Sequence, residues 1–88
     1  MSYIVIFTPQ VNRDIVDYWI ESLHQREMTR AIDDLERQMR NDPLEIGESR
    51  GGNRRVVFQW PVGMEFEVDE ENQQVEVYNF WNFQRRSE

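Results

Sequence analysis

Three arginines, Arg50, Arg54 and Arg55, surround the pair Gly51-Gly52 in the segment SRGGNRRVVF, residues 49–58, with no acid among them. A guanidinium presents a planar fork of donors that matches phosphate oxygens, and it stays charged at any accessible pH. Such a group holds a phosphate well and moves a proton badly. Cleaving RNA through its 2′-hydroxyl needs a base for that hydroxyl, a cation for the crowded phosphate and an acid for the leaving oxygen. The chain contains no lysine and no cysteine. His24, Tyr78 and the carboxylates are therefore the remaining proton carriers. Tyr78 falls on the last apolar run, where an aromatic also serves packing. His24 falls between two helical segments, away from the arginines, and reads as a surface residue.

The arginines stand out against the charge of the whole chain, which is −7 over 88 residues. Residues 1–48 carry five arginines against ten acids, residues 49–60 carry three arginines and no acid, and residues 61–88 carry two against seven. The net charge argues against sequence-blind binding to nucleic acid, which rests on a basic surface, and leaves a local positive spot in an acidic field to be explained. No apolar run approaches the ~20 residues a membrane helix needs, and no signal-peptide pattern opens the chain, so a cytoplasmic location without membrane partners is expected. The absence of cysteine excludes disulfides and thiolate zinc sites, and no motif points to a metal or cofactor. The length is that of a single domain, residues 1–88.

The elements that must position these residues follow from period and punctuation. SYIVIFTP is an apolar run stopped by Pro9 and reads as a strand. Thr8 suits an N-cap with proline in the first turn. Val11, Ile15, Tyr18, Trp19 and Leu23 recur at helical spacing, as do Met28, Ala31, Ile32, Leu35 and Met39. The two segments meet near His24 and Gln25, which predicts a helical hairpin. Asn41-Asp42-Pro43 ends the second helix. RRVVFQW and MEFEVDE then alternate with period two, and VEVYNFWNF reads as a third strand rich in aromatics. Pro61-Val62-Gly63 and Asp69-Glu70-Glu71-Asn72 are expected as turns between antiparallel neighbours. The plan is α+β: an N-terminal strand, a two-helix hairpin and a three-stranded antiparallel meander, with the helices on one face of the sheet.

This plan also supplies bland roles for the same residues. A hairpin centred near Val62 sets Arg55 opposite Asp69, a cross-strand pair contributing roughly 0.2–1 kcal/mol. Glu65, Glu67 and Asp69 share one face of a strand and read as its solvated side rather than a metal site. Trp60, Phe80, Trp81 and Phe83 could stack bases, but in a small domain most are expected in the core.

In order and punctuation the chain resembles the RelE/ParE superfamily of bacterial toxins from toxin–antitoxin, or plasmid stabilisation, systems. The marks are "TP" after the first strand, "NDPLEIGES" after the second helix, "SRGGNRRVVF" opening the meander, and Phe66, Val68 and Asp69 in "MEFEVDEENQQVEVYNF". The resemblance implies a toxin neutralised by a cognate antitoxin protein. RelE-like members are endoribonucleases that cleave mRNA on the ribosome, and ParE-like members act on DNA gyrase. By position, Arg50 matches the loop arginine of the family's R-G motif and is expected to bind substrate, together with Tyr78. Arg54 and Arg55 fall near the basic second-strand positions, where RelE-like nucleases usually carry lysines. Arg85 matches the basic residue after the last strand that contacts the scissile phosphate, so Arg54, Arg55 and Arg85 are the catalytic candidates. Two positions depart from the pattern. Gly63-Met64-Glu65 puts a glutamate where those nucleases have an arginine, and the tail beyond Arg86 is short. A non-nuclease, a protein-interaction domain and a homodimer therefore stay open.

Overall fold

The computed structural model describes residues 2–83. The element order is β1 (Ile4–Phe7), α1 (Pro9–Glu21), α2 (Gln25–Asn41), β2 (Glu48–Ser49), β3 (Arg54–Gln59), β4 (Val62–Asp69) and β5 (Gln74–Asn82). The strands form one sheet in the order β1-β5-β4-β3-β2. β1 runs parallel to β5 along one edge, and all other neighbours are antiparallel. The expected α+β plan is present, with a two-residue edge strand, β2, added in front of the meander.

Local chemistry explains where the helices start and stop. The Thr8 hydroxyl accepts the backbone N–H of Val11 at 3.2 Å, and Pro9 occupies the first turn, where no amide donor is needed. α2 ends one residue before Asp42-Pro43. One of its last carbonyls, that of Arg40, accepts the Tyr3 N–H at 2.7 Å, which ties the start of β1 to the end of α2.

The core lies between α2 and one face of the sheet. Met28, Ala31, Leu35 and Met39 of α2 are fully covered, and they meet Val62, Met64, Phe66, Val68, Val75 and Val77 from the two central strands. Each large side chain in this layer contributes roughly 1.5–3 kcal/mol by leaving water. α1 is seated less deeply. Val11 is its one buried residue, while Ile20 and, just past the helix, Leu23 are 64% and 85% exposed. The helical spacing of its apolar residues is real, but not all of them point to the core. Neither helix is long and apolar enough to cross a membrane.

The β3–β4 hairpin turns on Trp60-Pro61, with a cis bond between them, and Val62 and Gly63 already belong to β4. The expected turn at Pro61-Val62-Gly63 is therefore displaced, and the register moves with it. Arg55 pairs with Phe66, not with Asp69, and Arg54 pairs with Glu67. The cause is the buried face. Val62, Met64, Phe66 and Val68 must all lie under the helices, and a strand begun at Val62 puts them there.

Candidate functional site

The helices cover one face of the sheet and leave the other open. Period two assigns Arg54, Val56 and Phe58 of β3 to the open face, with Gly63, Glu65 and Glu67 opposite them on β4. On β5 the alternation is broken. Glu65 pairs with Asn79 and Phe66 with Val77, so Tyr78 is an extra residue in a β-bulge. Bulges re-aim side chains, and here Tyr78 and Asn79 both serve the open face. The Asn79 side-chain amide donates to the Glu65 carboxylate at 3.2 Å. The Tyr78 hydroxyl is buried and has no partner at hydrogen-bonding distance among the described residues. Its pKa is raised above 10.0, first by burial and then by the Glu65 carboxylate, while Arg54 opposes the shift.

The arginine loop is a tight connection between β2 and β3. The Arg50 N–H donates to the Arg54 carbonyl at 2.7 Å, and Arg54 returns its own to Gly51 at 3.2 Å. Gly51 and Gly52 take φ values of +102° and +58°, with no other atom near the space a side chain would fill. The loop tip is thus open to a partner. Among the described residues the only ion pairs are Arg37–Asp34 and Arg40–Glu36, both within α2. Arg50 and Arg54 are exposed and form none, even though Glu67 is the cross-strand partner of Arg54. Among the described residues, neither arginine forms an ion pair with the acidic strand.

Arg55 behaves differently. It lies on the helix side, and its guanidinium donates to the carbonyls of Ile46 and Gly47 at 2.9 and 3.2 Å. Its fork anchors the segment leading into β2. Arg85 lies outside the described residues. His24 stands at the far end of β3, its ring edge-on to Trp60 with centroids 5.1 Å apart. Trp60 is six residues along from Arg54, about 20 Å of extended chain, so His24 does not reach the arginine loop.

The aromatics correct a further expectation. Of Trp60, Phe80, Trp81 and Phe83, only Phe80 is buried. Phe58, Trp81 and Phe83 form a cluster on the open face, with centroids 6.0 Å apart for Phe58–Trp81 and 5.5 Å for Phe58–Phe83. Phe58 had no place among the expected site residues. The available signal was Gly63, a glycine inside a strand, which often marks a close approach. Asp69, at the opposite end of β4, is held below the usual carboxylate range by the side chain and backbone N–H of Asn72. It borders an acidic hollow of about 350 Å³ also lined by Glu67 and Glu76. A wider groove of about 900 Å³ runs along the outer side of α2 from Trp19 and Leu23.

The two helices and the five-stranded mixed sheet match the fold of solved RelE and ParE toxins. A chain of the RelBE2 toxin–antitoxin complex from Mycobacterium tuberculosis superposes with a TM-score of 0.73 at 18% identity, covering 93% of this chain and 92% of its own. The isolated RelE toxin of E. coli gives 0.68 at 15% identity over 97% of this chain and 88% of its own. A chain of the chromosomal ParDE system of P. aeruginosa gives 0.59 at 14% identity over 94% and 98%. No protein-family model matches the sequence, and no curated protein matches it.

Proposed function

We propose that the chain is the toxin-like component of a toxin–antitoxin module and acts on translation by ribosome-dependent mRNA cleavage. One observation carries this reading: Arg50 and Arg54 sit at an open glycine loop in a RelE-like fold without an ion pair among the described residues. Unpaired guanidiniums in an acidic protein are free to take phosphate oxygens. Arg50 and Arg54 bind the RNA backbone, and Arg85 supplies the cation for the scissile phosphate. Arg55 supports the site by fixing the preceding segment. Tyr78 supports it as a buried hydroxyl on which Glu65 and Arg54 act with opposite sign.

The partner implied is a cognate antitoxin. E. coli RelE has been solved with a RelB peptide bound, and here the exposed apolar side of the α1 region, with Ile20 and Leu23, offers a surface for such a segment. A second reading, a ParE-like member that targets gyrase, is favoured by Glu65. A carboxylate there repels the phosphate charge that a nuclease must stabilise.

Induced expression in a bacterial host separates the readings. The nuclease arrests growth and leaves ribosome-dependent cuts in mRNA, which Arg50→Ala and Arg54→Ala each reduce at least tenfold with the fold intact (about 1.4 kcal/mol of barrier). Arrest with intact mRNA and broken chromosomal DNA transfers the function to gyrase. Unimpaired growth with folded protein present rejects both for that host.

A further inference from the structure

We infer that the free edge of β1 is a strand-addition site for an extended segment of a partner protein in which apolar residues alternate with lysine or arginine. The inference rests on the sheet edge and its charge, not on the arginine loop, so it stands or falls apart from the nuclease reading.

An edge strand asks for a neighbour through its backbone. Ile4 and Thr8 donate their amides inward, to the carbonyls of Gln73 and Val77 at 2.9 and 3.1 Å. Alternation along the strand turns the N–H and C=O groups of Val5 and Phe7 outward, and among the described residues no strand lies beyond β1. The two edges of the sheet are guarded unequally. β2 is two residues long and carries the charge of Glu48. β1 has four residues, IVIF, with no charge, no proline and no break in its register, so it lacks the devices that keep a sheet edge from pairing. Its side chains also leave room for a neighbour. Ile4 and Ile6 are 61% and 42% exposed on the open face, and Val5 and Phe7 are half-buried at the margin of the core.

Charge identifies the neighbour. On the open face the register sets Ile6 beside Glu76 and Glu76 beside Glu67, with Asp69 and Gln74 in the next row. These side chains border the acidic hollow of about 350 Å³. Glu67 has Arg54 as its other cross-strand partner, without an ion pair. Glu76 has Ile6 on one side and an acid on the other, and like charges directly opposite on a sheet are unfavourable. A strand added beyond Ile6 runs two strand spacings, about 10 Å, from Glu76. A long basic side chain and the glutamate close that gap between them. The aliphatic stem then covers Ile6 while the cationic head meets the carboxylate. On the helix side, the alternate residues of the added strand continue the layer of Val5 and Phe7 and are apolar. Strand addition of this kind takes its affinity from the main chain and its selectivity from alternate side chains. A second copy of β1 does not meet the requirement, because it would bring Ile6, not a cation, to Glu76.

The test uses the full chain and a labelled, end-blocked peptide of four Val-Lys repeats, followed by fluorescence anisotropy and residue-resolved amide exchange. The peptide is expected to bind and to slow exchange at Val5 and Phe7 about tenfold, because those amides gain acceptors. Glu76→Gln should weaken binding about threefold, within the range of an exposed ion pair, and reduce its salt dependence. A Val-Glu peptide of the same length should bind more weakly than the Val-Lys peptide. Two further peptides carry N-methyl groups on every valine or on every lysine, and at least one of them should lose binding with its main-chain donors. If neither methylated peptide binds less tightly, or if Val5 and Phe7 gain no protection, the contact is ionic only and the inference is overturned. It is also overturned if the Val-Lys peptide does not bind or the Val-Glu peptide binds equally well. Protection of Val5 and Phe7 that grows with protein concentration in the absence of peptide would give the edge to a second copy and overturn it as well.

Discussion

The two faces of the same three strands follow opposite rules. On the covered face, Met64, Phe66 and Val68 of β4 are wholly buried in the apolar layer under the helices, with Arg55 the cross-strand partner of Phe66 at its margin. On the open face, Glu67 faces Arg54, Glu65 lies between Asn79 and the buried Val56, and Gly63 lies between Phe58 and Trp81. The backbone ladder is common to both, so the difference lies entirely in side chains. One face is spent on stability, which leaves the other free to vary for recognition. Residues on the first should be costly to change and silent in binding, and residues on the second the reverse.

The largest effect tests that division directly. Phe66→Ala removes a fully buried ring at the centre of the sheet and is expected to cost about 3–5 kcal/mol, read by urea denaturation. Phe58→Ala, one strand away but on the open face, should cost about 1 kcal/mol or less. Comparable losses would mean that the open-face rings are structural after all, and the functional reading of that face would fail with them.

A smaller effect separates the two loops that flank β2. Gly47 has φ of +69°, and a side chain there would run into the Val56 carbonyl; Arg55 fixes the same segment through the carbonyls of Ile46 and Gly47. Gly51 has φ of +102° but open space around it. Gly47→Ala should cost about 1–3 kcal/mol for its backbone conformation alone, plus the displacement of β3. Gly51→Ala carries the conformational cost without the collision. Thermal melts of the two variants should therefore rank Gly47→Ala below Gly51→Ala, and equal melting temperatures would show that the close approach of Gly47 to the Val56 carbonyl is relieved without cost.

Sequence reading recovered the covered face better than the open one, for a physical reason. Burial imposes a period, so Met28, Ala31, Leu35 and Met39 announced a helix, and Met64, Phe66 and Val68 a strand. Punctuation at Thr8-Pro9 and Asp42-Pro43 placed the helix ends within a residue or two. The open face has no such constraint. The Trp60-Pro61 turn shifted the register, so the partner expected for Arg55 was wrong, and the bulge at Tyr78 shows in the sequence only as a slip in the alternation, from Val75 and Val77 to Phe80. Arg54 and Arg55 are adjacent and chemically identical, yet the pleat sends one to the open face and the other to backbone carbonyls. Only the register distinguishes them.

Tyr78 gives the smallest effect and the finest probe of how the open face is wired. Its hydroxyl is buried with no hydrogen-bond partner among the described residues, and burial followed by Glu65 raises its pKa above the ordinary value of 10.0. A raised folded-state pKa means that the native protein keeps this proton where the unfolded chain releases it. The contribution to stability is therefore complete below about pH 10 and declines as pH rises through the folded value. An alkaline absorbance titration at about 295 nm should show a late phenol that disappears in Tyr78→Phe. Removing the carboxylate in Glu65→Gln should bring that phenol down toward its ordinary range, and removing the guanidinium in Arg54→Ala should push it further up. Opposite responses to these two changes would show that Arg54 and Glu65 act on one buried hydroxyl from opposite sides. If neither substitution moves the titration, Arg54 and Glu65 are electrostatically independent of Tyr78, and burial alone sets the shift.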